Sequence, residues 1–270
     1  MKSLAVMGSL ALSWTLAFAQ AQNTFEIASI KENVSGDGPS DPRVSPGRFS
    51  WVNATLRQLI QTAYDVRPYQ LFALPDWAQD TRFDVNATAT STTSRQQMNS
   101  MLQVLLVDRF GLTVHRDRRE LPVYALVLAR RDGRLGPGIQ PSTLDCDAIN
   151  AKPLVSEAAQ ADASRCNPQM GLTRLKFSGF AMAGLAEGLK RIFDRPVVDK
   201  TGLSGTFDIE LSWTPDTTLL PTGVPAPPPT TSAPPSIFTA VEEQLGLRLV
   251  SDRAEIDILV IDRIGSLKAN

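Results

Sequence analysis

Catalysis needs a proton carrier, a nucleophile or a metal ligand, and this chain supplies them sparsely. Its 270 residues include one histidine, His115, and two cysteines, Cys146 and Cys166. An acyl-transfer triad requires a histidine oriented by a carboxylate beside an activated hydroxyl or thiol. His115 sits between Val114 and Arg116 on a predicted strand, where alternation turns it away from the face of Val114 and toward solvent. No serine lies in a GxSxG elbow, and neither GxxxxGK[ST] nor GxGxxG occurs. The cysteines have no CxxC spacing and only one histidine to join them, so a zinc set is not available and a Cys146–Cys166 disulfide is the natural reading. Paired carboxylates could form a glycosidase dyad, but spacing selects no two of them. Asp257 and Asp262 read as the solvated ends of a buried strand over 258–261. The Asp37-Gly-Pro-Ser-Asp run lacks the alternating oxygens and terminal Glu of a calcium loop. The residues therefore assign no catalytic group, no cofactor site and no metal site.

The bulk composition points away from polyanions. Lys and Arg number 27 against 28 Asp and Glu, so no net field draws in nucleic acid. A modest basic stripe at Arg116, Arg118, Arg119, Arg130, Arg131 and Arg134 reads as a charged strand edge that discourages pairing. At the N-terminus, Lys2 precedes an apolar run from Leu4 to Ala17 and small residues at Ala17, Ala19 and Ala21, the plan of a secretory signal over 1–21. That run is shorter than the roughly 20 apolar residues a spanning helix needs, so no membrane insertion is expected after cleavage. A periplasmic or secreted location follows, and an oxidising space suits the disulfide.

The elements repeat. Phe25, Ile27 and Ser29 alternate as on a strand, as do Phe49 with Trp51, and Phe83, Val85 with Ala87. Leu56, Leu59, Ile60, Ala63 and Tyr64 fall on one helical face, capped by Thr55 or Asn53. Ser94 opens a second helix with a stripe of Met98, Met101, Leu102, Leu105 and Leu106, ended at Gly111. Two strands close the unit, Leu112 with Val114 and then 121–128. From Arg174 the order recurs: a strand at Leu175 and Phe177, a helix carrying Met182, Leu185, Leu189 and Ile192, a strand at Phe207, Ile209 and Leu211, then a helix from Ser236 to Gly246. Arg48 matches Arg174, Leu56 matches Met182, and the segment from Gly111 to Glu120 matches that from Gly246 to Glu255. The expected fold is α+β, with two related strand-helix-strand-helix-strand units and helices packed on one face of mixed or antiparallel sheets. The units cover 22–131 and 172–265, joined by a disulfide-bearing connection over 132–171. A proline-rich insertion at 214–235, with eight of the nineteen prolines, interrupts the second as a polyproline-like spacer.

Several runs carry a family resemblance: Phe25-Glu-Ile-Ala-Ser-Ile-Lys, Asn53-Ala-Thr-Leu-Arg-Gln-Leu-Ile, Pro75-Asp-Trp, Arg82-Phe-Asp-Val, Leu106-Val-Asp-Arg-Phe-Gly-Leu, Glu120-Leu-Pro-Val-Tyr and Asp199-Lys-Thr-Gly-Leu-Ser-Gly-Thr-Phe-Asp. Together they resemble the Solibacter-type domain of unknown function, abundant in acidobacteria. The resemblance implies no activity and no catalytic residues. Some relatives look like domains attached to membrane-bound antirepressor peptidases, which implies sensing or binding outside the cytoplasm, although no HExxH motif occurs here. Each unit is also similar to the short N-terminal domain of secretins and TonB-dependent receptors, which implies protein contact. The insertion before Ser236 departs from that pattern.

The reading is a non-catalytic extracytoplasmic binding or protein-interaction module whose partner is an envelope protein or peptide. The alternative is a cell-envelope hydrolase using acidic residues in a cleft between the two halves. Exposed aromatics, Trp77 or Trp213, would favour contact with a partner; both suit a core equally well.

Overall fold

Phe49 and Trp51 alternate with polar neighbours, as do Phe83, Val85 and Ala87, so each segment as a strand presents one apolar face that another element must cover. The computed structural model describes residues 24–35, 42–45, 47–90, 93–150, 164–214 and 235–268. In it both segments are strands, with those five side chains buried. The signal segment, the 37–41 run and nearly all of the proline-rich insertion lie outside the described residues. No described helix is long and apolar enough to cross a membrane. The chain divides into two compact units, Met1–Arg118 with Asp257–Asn270, and Arg119–Ile256.

The first unit runs β1 (Ile27–Glu32), β2 (Arg43–Ser45), β3 (Arg48–Thr55), α1 (Leu56–Tyr64), β4 (Leu71–Phe72), α2 (Trp77–Asp80), β5 (Arg82–Thr88), α3 (Arg95–Phe110) and the opening of β6 (Thr113–Leu128). Four strands form an antiparallel sheet in the order β1-β5-β3-β2. Thr55 begins α1 with a capping box: its hydroxyl accepts from the Gln58 amide at 3.2 Å while Gln58 Oε1 accepts from the Thr55 amide at 2.8 Å. Ser94 and Gln97 repeat the device at α3, which ends at Gly111 in the left-handed region. The helical stripes Leu56, Leu59, Ile60, Ala63 and Met98, Leu102, Leu106 cover Phe83 and Val85. Leu259 and Ile261 join the same core.

The second unit holds β7 (Ile139–Pro141), α4 (Cys146–Asn150), β8 (Gln169–Met170), β9 (Arg174–Phe180), α5 (Met182–Leu189), β10 (Val197–Asp199), β11 (Phe207–Ser212), α6 (Ile237–Leu245) and the opening of β12 (Leu247–Arg263). Its sheet order is β7-β11-β9-β8. Leu185, Leu189, Val241 and Leu245 bury against Phe177, Ile209 and Leu211. Cys146 and Cys166 are joined by a disulfide, and both are buried.

Element for element, the sheet of each unit places its first strand beside the fourth, then the third, then the second. The irregular positions also coincide. In β3 the register against β5 shifts between Trp51 and Ala54, where Asn53 takes φ 62° and its amide donates to Asp84 Oδ1 at 2.8 Å. In β9 the shift against β11 surrounds Gly179, with φ 72°, whose amide donates to Asp208 Oδ1 at 2.9 Å. Each unit adds one short parallel pair, Leu71 beside Leu259 and Val197 beside Tyr124.

Four local expectations are corrected. Leu112 with Val114 and 121–128 are not two strands: β6 is continuous over sixteen residues. Likewise β12 runs seventeen residues, so Asp257 lies inside the strand and only Asp262 is near its end, although both are exposed and flank the buried 258–261 stretch. In both cases the polar stretch stays extended because its backbone is paired and its charges meet opposite charges on the neighbouring strand, which apolar patterning does not register. On β1 the buried residue is Ile30, opposite Val85, while Ile27 is 72% exposed, so the alternation has the other phase. Finally, α5 ends at Leu189, and Ile192 packs on the core from the turn beyond.

Candidate binding surface

Tyr124 lies on β6, where β10 pairs with it in parallel and the Tyr124 amide donates to Pro196 O at 2.8 Å. That pairing brings the turn ahead of β10 against the tyrosine. Phe193 from this turn approaches Tyr124 with ring centroids 5.1 Å apart, and the Arg195 guanidinium stacks over the Tyr124 ring at 4.7 Å. Phe238 completes a triangle, edge-on to Tyr124 at 5.4 Å and tilted against Phe193 at 5.3 Å. It stands in the first turn of α6, whose N-cap is Ser236. Tyr124 and Phe193 are half-buried and back onto the core of the unit; Phe238 is 42% exposed.

Phe238 also borders a groove of about 560 Å³ lined by Arg130, Thr239, Glu242, Glu243, Arg248 and Leu249. Phe238 and Glu242 are one turn apart on α6, so the groove runs along one side of that helix. The Ala129 amide donates to Gly246 O at 2.9 Å, which ties the end of β6 to the end of α6 and fixes the groove floor. Both signs of charge line it, together with an apolar ring at one end. Such a lining suits a polypeptide, which offers carbonyls, amides and side chains of either charge; none of the described residues here forms a cluster of metal-binding groups.

His115 has a carboxylate partner, which its strand position had not announced. Its Nδ1 lies 2.7 Å from Asp262 Oδ1, with the two side chains 52% and 41% exposed. Arg118 and Asp257 form a neighbouring pair at 3.0 Å. These pairs join adjacent strand segments on an open surface in contact with bulk water, where each contributes little. Nearby Tyr64 is held above the usual tyrosine range by burial, with the Arg116 charge pulling the other way. Trp213 is buried in the core of the second unit, whereas Trp77 is 39% exposed. Of the two tryptophans expected as candidate contact aromatics, Trp77 is thus exposed and Trp213 is not, and Phe238 is a further exposed aromatic that sequence reasoning did not single out. The signal that could have found Phe238 is its phase: on the helical period it falls between Leu245 and Glu242, at the border of the Ile237–Val241–Leu245 stripe and the exposed face of α6.

Residues 57–264 match a protein family described as "Protein of unknown function (DUF3738)". The chain belongs to that family. The DUF3738 match takes in Tyr124, Phe193, Phe238, every groove residue and the disulfide, and it begins within α1. No curated protein and no solved structure matches the chain.

Proposed function

We propose that this DUF3738 chain is a non-catalytic binding module of the periplasm or extracellular space, and that its second unit takes a protein or peptide on the surface around Phe238. The observation that carries the reading is the Tyr124–Phe193–Phe238 triangle with an exposed member beside the groove. Rigid aromatic rings backed by a core and edged by mixed charge supply contact area at little entropic cost, as interface anchors do. The signal-like N-terminus and the disulfide suit an oxidising compartment outside the cytoplasm. Duplication of one α/β segment accounts for the shared sheet order and for the matched bulges at Asn53 and Gly179, and the likeness of each unit to secretin and TonB-receptor domains agrees with a contact role.

The test is crosslinking capture from the host envelope fraction with the wild-type chain and with Phe238→Ala. The expected outcome is one defined envelope protein, enriched at least about tenfold by the wild type over the variant, since an anchor is worth about 1.4 kcal/mol or more. Equal enrichment by both chains would remove the surface from consideration.

A further inference from the structure

The groove beside Phe238 separates its charges by element. α6 supplies Glu242 and Glu243, whereas Arg130, two residues past β6, and Arg248, on β12, supply the opposite sign. The bond from the Ala129 amide to Gly246 O sets the two arginine-bearing segments side by side. All four charged residues are exposed, and among the described residues their side chains form no ion pair and no hydrogen bond. Along α6 the lining forms two columns, Phe238 with Glu242 and Thr239 with Glu243, each pair one turn apart. One such step rises about 6 Å along the helix. An extended chain repeats on each side at about 6.6 Å and turns the intervening side chain the other way. The two spacings agree to within about 1 Å, so an extended peptide lying along α6 keeps step with it.

We infer that the groove takes an extended peptide segment of alternating charge. An apolar side chain packs on Phe238, and two residues along the peptide a basic side chain on the same side meets Glu242 and Glu243. The side chains between and beyond these turn to Arg130 and Arg248 and are acidic. Opposite charge on the two sides is what selects alternation: a segment of one sign would set like charges together on one side, and a helical ligand does not send successive side chains to opposite sides. A volume of about 560 Å³ is that of a pocket for a small ligand, so a few residues of the peptide fill it. The inference rests on the proposed reading of the surface around Phe238 as a binding site and specifies the class of peptide it takes.

The test titrates fluorescent, end-capped peptides into the full chain and reads anisotropy. The probe is glutamate-lysine-glutamate-phenylalanine-glutamate-lysine-glutamate, whose pattern is the same in either chain direction. One control exchanges every glutamate with lysine and every lysine with glutamate; another carries glutamine at all six charged positions. The probe should bind at least about tenfold more tightly than the exchanged peptide, because reversal turns each attraction into a repulsion, and the glutamine peptide should fall between them. The difference should shrink at high salt. In the variant Arg130→Glu, Arg248→Glu, Glu242→Lys, Glu243→Lys, whose net charge is that of the wild type, the order of probe and exchanged peptide should reverse. If that variant does not fold by circular dichroism, Glu242→Gln with Glu243→Gln replaces it, and the preference for the probe should then fall. Equal binding of the three peptides, binding of none, or a preference unmoved by the substitutions overturns the inference. If the peptides do not discriminate while Phe238→Ala still loses an envelope partner, the binding module stands and the alternating-charge ligand falls. If they discriminate while envelope capture ignores Phe238, the ligand class of the groove stands and the envelope partner falls.

Discussion

Single residues matter most where a backbone amide would otherwise be stranded. At the bulge in β9, the Asp208 carboxylate takes the Gly179 amide, and a Cβ added to Gly179 would stand 2.7 Å from Leu144 Cβ. Asn53 occupies the like position in β3 with a side chain present, so the left-handed turn is common to both bulges and only the crowding is particular to the second. Asp208→Ala should therefore cost about 1–3 kcal/mol, the penalty of a part-buried donor left unpaired, read as a lower urea midpoint at constant slope. His115→Ala provides the contrast: an exposed pair with Asp262 at 2.7 Å contributes at most about 1 kcal/mol, so the same measurement should move little. Tyr64 adds a pH dependence. Burial raises its folded pKa above the ordinary 10.0, so its contribution is fully present below pH 10 and is lost as pH climbs through the higher folded value. Tyr64→Phe should flatten that alkaline decline in a series of thermal melts taken from pH 9 upward.

Elements hold because their ends are satisfied and their packed faces fit. α3 begins at Ser94, which caps the Gln97 amide, and α6 begins at Ser236, which caps the Thr239 amide. Ser94→Ala should lower stability by about 1 kcal/mol in chemical unfolding. α5 tests the balance between propensity and packing. Alanine at Gly188 would favour the isolated helix by about 1 kcal/mol, yet a Cβ there would meet the Phe177 ring at 2.7 Å. Phe177 is buried and packed against the helix, so Gly188→Ala should be net destabilising by about 1–3 kcal/mol, and a stabilised variant would mean that the ring yields freely.

At the scale of the molecule, the long strands and the disulfide decide what can fold. In the first unit, residues 257–263 of β12 lie beside 113–118 of β6 and carry β4 on their other side. Leu259 and Ile261 thereby enter a core whose other members all precede residue 115, apart from the partly buried Ile264 and Leu267. A fragment of residues 22–131 should therefore remain unfolded by circular dichroism, since it lacks two core side chains each worth about 2–5 kcal/mol and the strand that bears them. Linking 22–118 to 257–268 should restore cooperative unfolding. In the second unit the Cys146–Cys166 bridge closes a separation of 20 residues. Its reduction should cost about 3 kcal/mol in the chain-entropy account, or roughly 6–12 °C in melting temperature for a chain of this size.

Much of this was legible along the chain, and the reason is locality. The strand faces at Phe49, Trp51, Phe83 and Val85, the helical stripes, the caps at Thr55, Ser94 and Ser236, and the left-handed ends at Gly111 and Gly246 are each written in a few consecutive residues. The cysteine partner followed from there being only two. Tertiary structure alone decided that β6 and β12 run unbroken through their charged middles, that His115 meets Asp262 across 147 residues, and that Tyr124, Phe193 and Phe238 share one surface. Those arrangements depend on which strands pair and in what register, and a pairing between distant residues leaves no local periodicity from which it could be read.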